Sequence, residues 1–336
     1  MEKYKRKAFV MKVIIAHPVT SQQKQEFLAA APDAEFLFLP AGDVKEDLLA
    51  EASVVIGTIP PSRFHAYEKL QLLQLGSAGA DGYTDPGVLA PHTVLANSSG
   101  AYGLAISEHM LAQLLMMIKR LNSYYDKQKE KNWCDLGPVR GIFGSTTLVV
   151  GMGDIGGEFA RRMHLLGSHV LGIRRHAGEK PDWLDALGTM EQLDEWLPKA
   201  DYVACVLPGT PETYHLFDAE RIRRMKPDAI LMNTGRGSAI DSLALNDALR
   251  AGTIGGACLD VVEPEPLPAD HPLWDAPNLL LTPHISGFYH LQITLDRILA
   301  IALENLHALV NGKPIRNVVD KSSGYRDNSG ENPIHF

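Results

Sequence analysis

A chain of 336 residues, 45% hydrophobic and 21% charged, has the balance of a soluble globular protein and the length for two cores rather than one. Its formal net charge of -8 argues against a nucleic-acid partner, because a phosphate-tracking surface needs a basic surplus. Cys134, Cys205 and Cys258 are too few and too widely spaced for a disulfide framework, which fits a reducing cytoplasm.

Taken in chain order, the basic run Lys3, Lys5, Arg6 and Lys7 leads into a short apolar strand that ends before Pro18 with no small-residue cleavage site, and is read as no export signal. Aliphatic or β-branched runs at Lys12–Ala16, Phe36–Leu39, Ser53–Thr58, Leu72–Leu75 and Thr93–Ala96 are predicted strands, and the helical stretches between them predict a parallel α/β sheet. A loop at Asn97–Gly100 then feeds the apolar stretch Ala101–Leu121. Ser107, Glu108, His109 and Gln113 interrupt that stretch, so a helix buried between domains or subunits fits better than a membrane span.

A second series of strands is predicted at Thr146–Val150, His169–Ile173, Tyr202–Val206, Ala229–Met232, Gly256–Leu259 and Leu279–Leu281. Six strands with intervening helices make a complete doubly wound domain. The stretch His290–Asn311 carries Leu295, Leu299, Ala302, Leu306 and Leu309 at helical spacing and is predicted to return the chain to the first domain. The tail Ser322–Phe336 is polar and expected to be loosely held. The predicted fold is therefore α/β with two Rossmann-like parallel domains: a flavodoxin-like one over residues 1–100 and 291–336, and a doubly wound one over 101–290.

The strand Thr146–Val150 runs into Gly151-Met152-Gly153-Asp154-Ile155-Gly156 and then a helix with Ile155, Phe159, Met163 and Leu166 at apolar spacing. Strand, glycine turn and helix in that order are what a dinucleotide pyrophosphate requires. Gly151 permits the turn, Gly153 lets backbone approach phosphate, and Gly156 lets the helix pack on the strand with its N-terminus towards the anion. An NAD site would carry a carboxylate at the end of the next strand to bind the adenosine ribose. Arg174 and Arg175 stand there instead. Guanidinium groups bind a 2'-phosphate well, which favours NADP; two solvated arginines at a strand end are the plainer alternative, and leave NAD possible.

Three late segments each bear a reactive side chain after a strand: Asn233-Thr234-Gly235-Arg236-Gly237, Asp260-Val261-Val262-Glu263-Pro264-Glu265-Pro266 and Thr282-Pro283-His284-Ile285-Ser286-Gly287. Singly they read as a surface arginine, solvated acids and a histidine after a proline turn. Together they supply a cation for a substrate carboxylate and carbonyl, a proton donor, and a carboxylate, Glu263 or Glu265, that orients the histidine and favours its charged form. Nothing in the set calls for a metal.

With these strings in view, and His271-Pro272-Leu273-Trp274 between the last two, the chain resembles the D-isomer-specific 2-hydroxyacid dehydrogenases over about Ile14 to Val319. The resemblance implies a substrate domain formed by the N-terminal part and the C-terminal helix, a cofactor domain in the middle, and closure of the two about Asn97–Gly103 and Phe288–Leu291. It makes Arg236 the substrate-binding arginine and His284 the acid/base. It selects Glu265 over Glu263 as the histidine's partner, because the family glutamate lies five places after an aspartate and directly before a proline. Asp260 then faces the nicotinamide carboxamide, and Val206, Pro208 and Thr234 join Asp154 and Ile155 around the cofactor. In Ser77-Ala78-Gly79-Ala80-Asp81, the amides of Ala78 and Gly79 would hold the substrate carboxylate; an ordinary glycine turn is the alternative there.

The resemblance also implies a homodimer joined through the cofactor domain. Nothing after Val319 is long enough for an added regulatory domain, which disfavours a phosphorylated substrate. Arg63 is a candidate contact for a polar substrate, and Ile59–Pro60 and Trp133–Arg140 are expected to shape its pocket. The implied activity is NADPH-preferring reduction of a small 2-keto acid such as glyoxylate or hydroxypyruvate. The alternatives are an NAD-linked D-2-hydroxyacid dehydrogenase and, from another class, a non-catalytic nicotinamide-sensing corepressor of the same fold.

Overall fold

A computed structural model of the chain describes residues 10–176 and 178–322. The basic run Lys3–Lys7 and the tail beyond Ser322 lie outside the described residues. The chain forms two compact units, one of residues 10–101 with 292–322 and one of Tyr102–Leu291.

The first unit holds five parallel strands, β1 (Lys12–Ile15), β2 (Glu35–Phe38), β3 (Val54–Ile56), β4 (Leu72–Gln74) and β5 (Val94–Ala96). Their order is β2-β1-β3-β4-β5, the flavodoxin-like winding. Val13, Ile14 and Ile15 are all buried, because a parallel sheet is covered on both faces and its strands read as unbroken apolar runs. Ile14, Val55 and Leu73 serve the core on one face. On the other, Val13, Ile15, Val54 and Leu72 meet Leu295, Leu299, Ala302 and Leu306 of the helix Gln292–Val310. Each buried leucine there contributes roughly 1.5–3 kcal/mol, which ties the end of the chain to its beginning. The helix starts at Gln292, two residues later than the apolar spacing predicts.

The second unit is a seven-stranded parallel sheet of β6 (Thr146–Val150), β7 (His169–Ile173), β8 (Ala186–Gly188), β9 (Tyr202–Cys205), β10 (Ile230–Asn233), β11 (Gly256–Leu259) and β12 (Leu279–Leu281), in the order β12-β11-β10-β9-β6-β7-β8. Counted from β6 this is the doubly wound 3-2-1-4-5-6 order with one strand added. The sequence predicts six strands and misses β8. It is a three-residue edge strand, Ala-Leu-Gly, half-buried throughout and without a β-branched residue, so neither length nor composition announces it.

Two further expectations are corrected. The stretch Ala101–Leu121 is not one helix: Gly103–Ile118 ends at Lys119, Arg120 turns the chain with φ 56, and a second helix runs over Leu121–Lys129. In the helix Asp154–Leu165 the buried apolar side chains are Phe159, Ala160 and Met163, whereas Leu166 caps the helix and is exposed. Among the described residues no helix is long and apolar enough to cross a membrane.

Candidate active site

The glycine turn leaves β6 at Val150. Gly151 has φ 108, and a Cβ on it would overlap the Val206 carbonyl; one on Gly156 would overlap the carbonyl of Gly151. Strand end, turn and helix are thus packed too tightly for side chains. Gly153 differs, since a Cβ there would meet no protein atom within 4 Å. Packing does not require that glycine, and close backbone approach to a dinucleotide does, so the turn fits the cofactor. The helix that follows begins at this turn, so the amides of its first turn, those of Asp154 and Ile155 among them, stand at an N-terminus where an anion is favoured. The side chain of Asp154 is engaged elsewhere: its Oδ2 accepts from the Gly103 amide at 2.9 Å, fixing the start of the helix Gly103–Ile118 beside the turn.

The amides of Gly151 and Met152 both donate to Ile173 O at 3.0 Å. This brings the turn against the end of β7, where Arg174 and Arg175 follow. Arg174 is half-buried and its amide donates to Gly188 O at 3.0 Å, beside β8; Arg175 is exposed. Beyond β9, the amide of Val206 donates to Val150 O at 2.9 Å, and the carbonyl of Pro208 accepts from Thr213 Oγ1 at 2.7 Å. Thr234 is buried, its hydroxyl 3.3 Å from Met110 Sδ.

The three reactive segments stand at the C-terminal ends of β10, β11 and β12, the edge where open α/β sheets bind ligands. Asn233, the last residue of β10, shapes the first loop by accepting from the Gly235 amide at 3.0 Å and donating to Arg236 O at 2.9 Å. Arg236 itself is half-buried and one guanidinium nitrogen donates to Gly235 O at 2.8 Å. A Cβ on Gly237 would overlap the Val262 carbonyl, so this loop lies directly on the one after β11.

In that second loop the Glu265 carboxylate accepts from the Val262 amide at 3.0 Å through Oε1, and from His284 Nδ1 at 2.7 Å through Oε2. Glu263 lies apart, its Oε2 3.6 Å from His215 Nε2. His284 adopts a left-handed backbone, φ 52, with its amide shared between Asp260 O at 2.8 Å and Thr282 O at 3.0 Å. Its side chain is 51% exposed, which leaves Nε2 accessible to a substrate.

Asp260 is 2% exposed. Burial pushes its carboxyl up, but hydrogen bonds from Ser286, Thr282 and the amides of Ser286 and Ile285 more than offset this and hold it below the ordinary aspartate range. Its expected contact is the nicotinamide carboxamide; the hydrogen bonds its carboxylate accepts all come from the loop that bears His284, with His109 Nε2 3.9 Å away. Thr282 in turn accepts from His109 and Gln113. The sequence marks those two only as interruptions of an apolar helix, although their i, i+4 spacing places them on one face.

In the first unit the carbonyls of Ala78 and Gly79 are tied down by Asn97 Nδ2 at 2.8 Å and Ser77 Oγ at 2.7 Å. Their amides have no acceptor among the described residues, a property a carboxylate-binding loop needs. The guanidinium of Arg63 donates to the Val44 carbonyl and so is committed to its own unit. Of the segments expected to shape the pocket, Ile59 is core and Trp133 is wholly exposed.

The fold and these strand-end loops define a nicotinamide-dependent oxidoreductase. A model of the NAD binding domain of D-isomer specific 2-hydroxyacid dehydrogenases matches residues 111–286. Glyoxylate/hydroxypyruvate reductase B of Pectobacterium atrosepticum is 31% identical over 91% of this chain and 95% of its own length. The solved structure of a D-isomer specific 2-hydroxyacid dehydrogenase family protein from Aeromonas salmonicida superposes with a TM-score of 0.82 at 34% identity, covering 93% of this chain and 99% of that one. The NADPH-dependent glyoxylate/hydroxypyruvate reductase of Sinorhizobium meliloti, solved with NADP and sulfate, gives 0.78 at 25% identity over 94% and 100%. The chain belongs to the D-isomer specific 2-hydroxyacid dehydrogenase family. It is accordingly an NAD(P)-dependent oxidoreductase acting on CH–OH groups.

Proposed function

We propose that this enzyme reduces a small 2-keto acid, of the glyoxylate or hydroxypyruvate kind, to the D-2-hydroxy acid and prefers NADPH. The observation that carries the reading is the 2.7 Å bond between His284 Nδ1 and Glu265, which holds the ring by one nitrogen and reserves the other for the substrate. The bound nicotinamide supplies the hydride. Arg236 takes the substrate carboxylate and polarises the carbonyl. His284 Nε2 gives its proton to the carbonyl oxygen as the alcohol forms. Glu265 orients the ring and balances its charge while it is protonated. Gly151, Gly153 and Gly156 with the amides of Asp154 and Ile155 take the pyrophosphate, and Val206, Pro208 and Thr234 line the path to the nicotinamide.

The preference for NADPH rests on Arg174 and Arg175 at the end of β7, where an NAD site would carry an acid. One observation favours the second reading, an NAD-linked dehydrogenase. Hydrogen bonds from its own amide and Thr210, together with the field of Arg175, hold the Glu212 carboxyl below its usual range. A carboxylate within the field of Arg175 weakens that cation's pull on a phosphate. Steady-state rates with NADPH and NADH against glyoxylate, hydroxypyruvate, pyruvate and phenylpyruvate separate the two. Oxidation of neither cofactor with any of these acids sinks the reductase reading.

The proposal includes cytoplasmic residence and a homodimer through the second unit. Supporting the dimer, Met116, Leu121, Tyr125 and Trp133 expose apolar surface along one stretch of that unit. A monomer by light scattering at micromolar concentration overturns it.

A further inference from the structure

The loop that bears His284 is wrapped around Asp260. The Asp260 carboxylate accepts from Thr282 Oγ1 at 2.6 Å, from the Ile285 amide at 3.0 Å, from the Ser286 amide at 3.0 Å, and from Ser286 Oγ. An ionised carboxylate offers about four acceptor sites, so the protein's own donors fill them. Its carbonyl accepts the amide of His284 at 2.8 Å as well.

Behind this lies a second layer. Thr282 has one hydroxyl proton, which it gives to Asp260, so its oxygen can only accept from the helix Gly103–Ile118. Gln113 Nε2 reaches it at 3.2 Å and His109 Nε2 at 3.1 Å. Both must approach as N–H donors, which fixes the Gln113 amide orientation and the Nε2-protonated form of His109. The orientation leaves Gln113 Oε1 buried with no hydrogen-bond partner among the described residues. A buried unpaired oxygen is unfavourable, and a glutamine set in that position points to a role for its donated bond.

We infer that Asp260, Thr282, His109 and Gln113 form a positioning network that sets the His284 imidazole for proton transfer, with His109 and Gln113 acting through Thr282 and Asp260. The inference rests on the acid/base reading of His284. None of the four contacts the reacting atoms through the bonds described; they act on the backbone of residues 284–286. Because a displacement of about 1 Å at a reacting group can cost a hundredfold in rate, loss of the network lowers kcat rather than cofactor affinity.

The test uses the full-length enzyme, five single variants and one double variant. Thr282→Val keeps the shape and removes every hydrogen bond of the hydroxyl. Its kcat is expected to fall about ten- to a hundredfold, with the Kd for NADPH, read by fluorescence titration, unchanged within about twofold. Thr282→Ser should restore kcat. His109→Phe and Gln113→Met should each lower kcat, and together by less than the product of their separate effects, because they share one acceptor. These two decide the matter if Thr282→Val does not fold. An unchanged kcat in Thr282→Val, a loss seen wholly as weaker NADPH binding, or a lower melting temperature with full kcat each overturns the inference. His284→Asn distinguishes the layers. If that variant keeps full activity, the acid/base reading itself is wrong; if it is inactive while Thr282→Val is fully active, only the positioning network is wrong.

Discussion

Glu265 holds His284 through Oε2 at 2.7 Å while its Oε1 is held by the Val262 amide at 3.0 Å, so the ring is anchored by a carboxylate that is itself anchored. Replacing His284 by Asn should lower kcat for keto-acid reduction by roughly a hundred- to ten-thousandfold, the range for loss of a general acid. The Kd for NADPH should change little. Glu265→Gln should give a smaller loss of kcat, because the amide still orients the ring but no longer balances its charge. A His284→Asn enzyme with the wild-type rate refutes the assignment.

The glycine turn separates packing from binding. Gly151→Ala forces an L-residue to φ 108 against the Val206 carbonyl, and is expected to destabilise the chain by about 1–3 kcal/mol, read as a lower melting temperature. Gly153→Ala meets no protein atom, so its melting temperature should stay close to wild type while NADPH affinity falls. Equal cofactor affinity in Gly153→Ala and wild type would remove Gly153 from the phosphate site.

Cofactor choice is tested at the end of β7. If the NADPH reading holds, Arg174→Asp should raise the KM for NADPH much more than that for NADH, since it exchanges a cation suited to a 2'-phosphate for an acid suited to a ribose. Parallel changes in the two constants refute the NADPH preference.

His17 follows β1 and is 5% exposed; burial pushes its pKa down from 6.5 to about 4. The unfolded chain therefore takes up a proton between these values that the folded chain refuses. Stability from this residue is complete above pH 6.5 and is lost as pH falls through that window. The loss from pH 7 to pH 5 is on the order of 2 kcal/mol. Urea unfolding at the two pH values should show His17→Gln losing correspondingly less than wild type, whatever its absolute stability. The same pH slope in both proteins would show that His17 is not the group that titrates.

The sequence reads well where a local pattern has one physical solution. Val13, Ile14 and Ile15 form an unbroken apolar run because they are buried on both faces of a parallel sheet, and the run of glycines after β6 follows from the crowding around Gly151 and Gly156. It reads poorly where the determinant is distant in the chain. Three half-buried residues make β8 only because β7 offers an edge to pair with. Leu166 keeps the helical spacing of Phe159 and Met163 but falls at the helix end, on the solvent side. His109 and Gln113 look like defects in an apolar helix until Thr282, some 170 positions later, is seen against them. Glu263 and Glu265 cannot be told apart by spacing, and the family resemblance rather than local chemistry selects Glu265; in space it is the one that touches His284.

The left-handed backbone of His284, φ 52, restricts what evolution or design can put at that position. An L-residue there gives up roughly 1–2 kcal/mol unless it is Gly, Asn or Asp, so the enzyme carries local strain to aim this ring. A selection for stability alone would drift away from histidine at 284, and most readily to asparagine or glycine. Persistence of histidine under such selection would measure how strongly turnover is required.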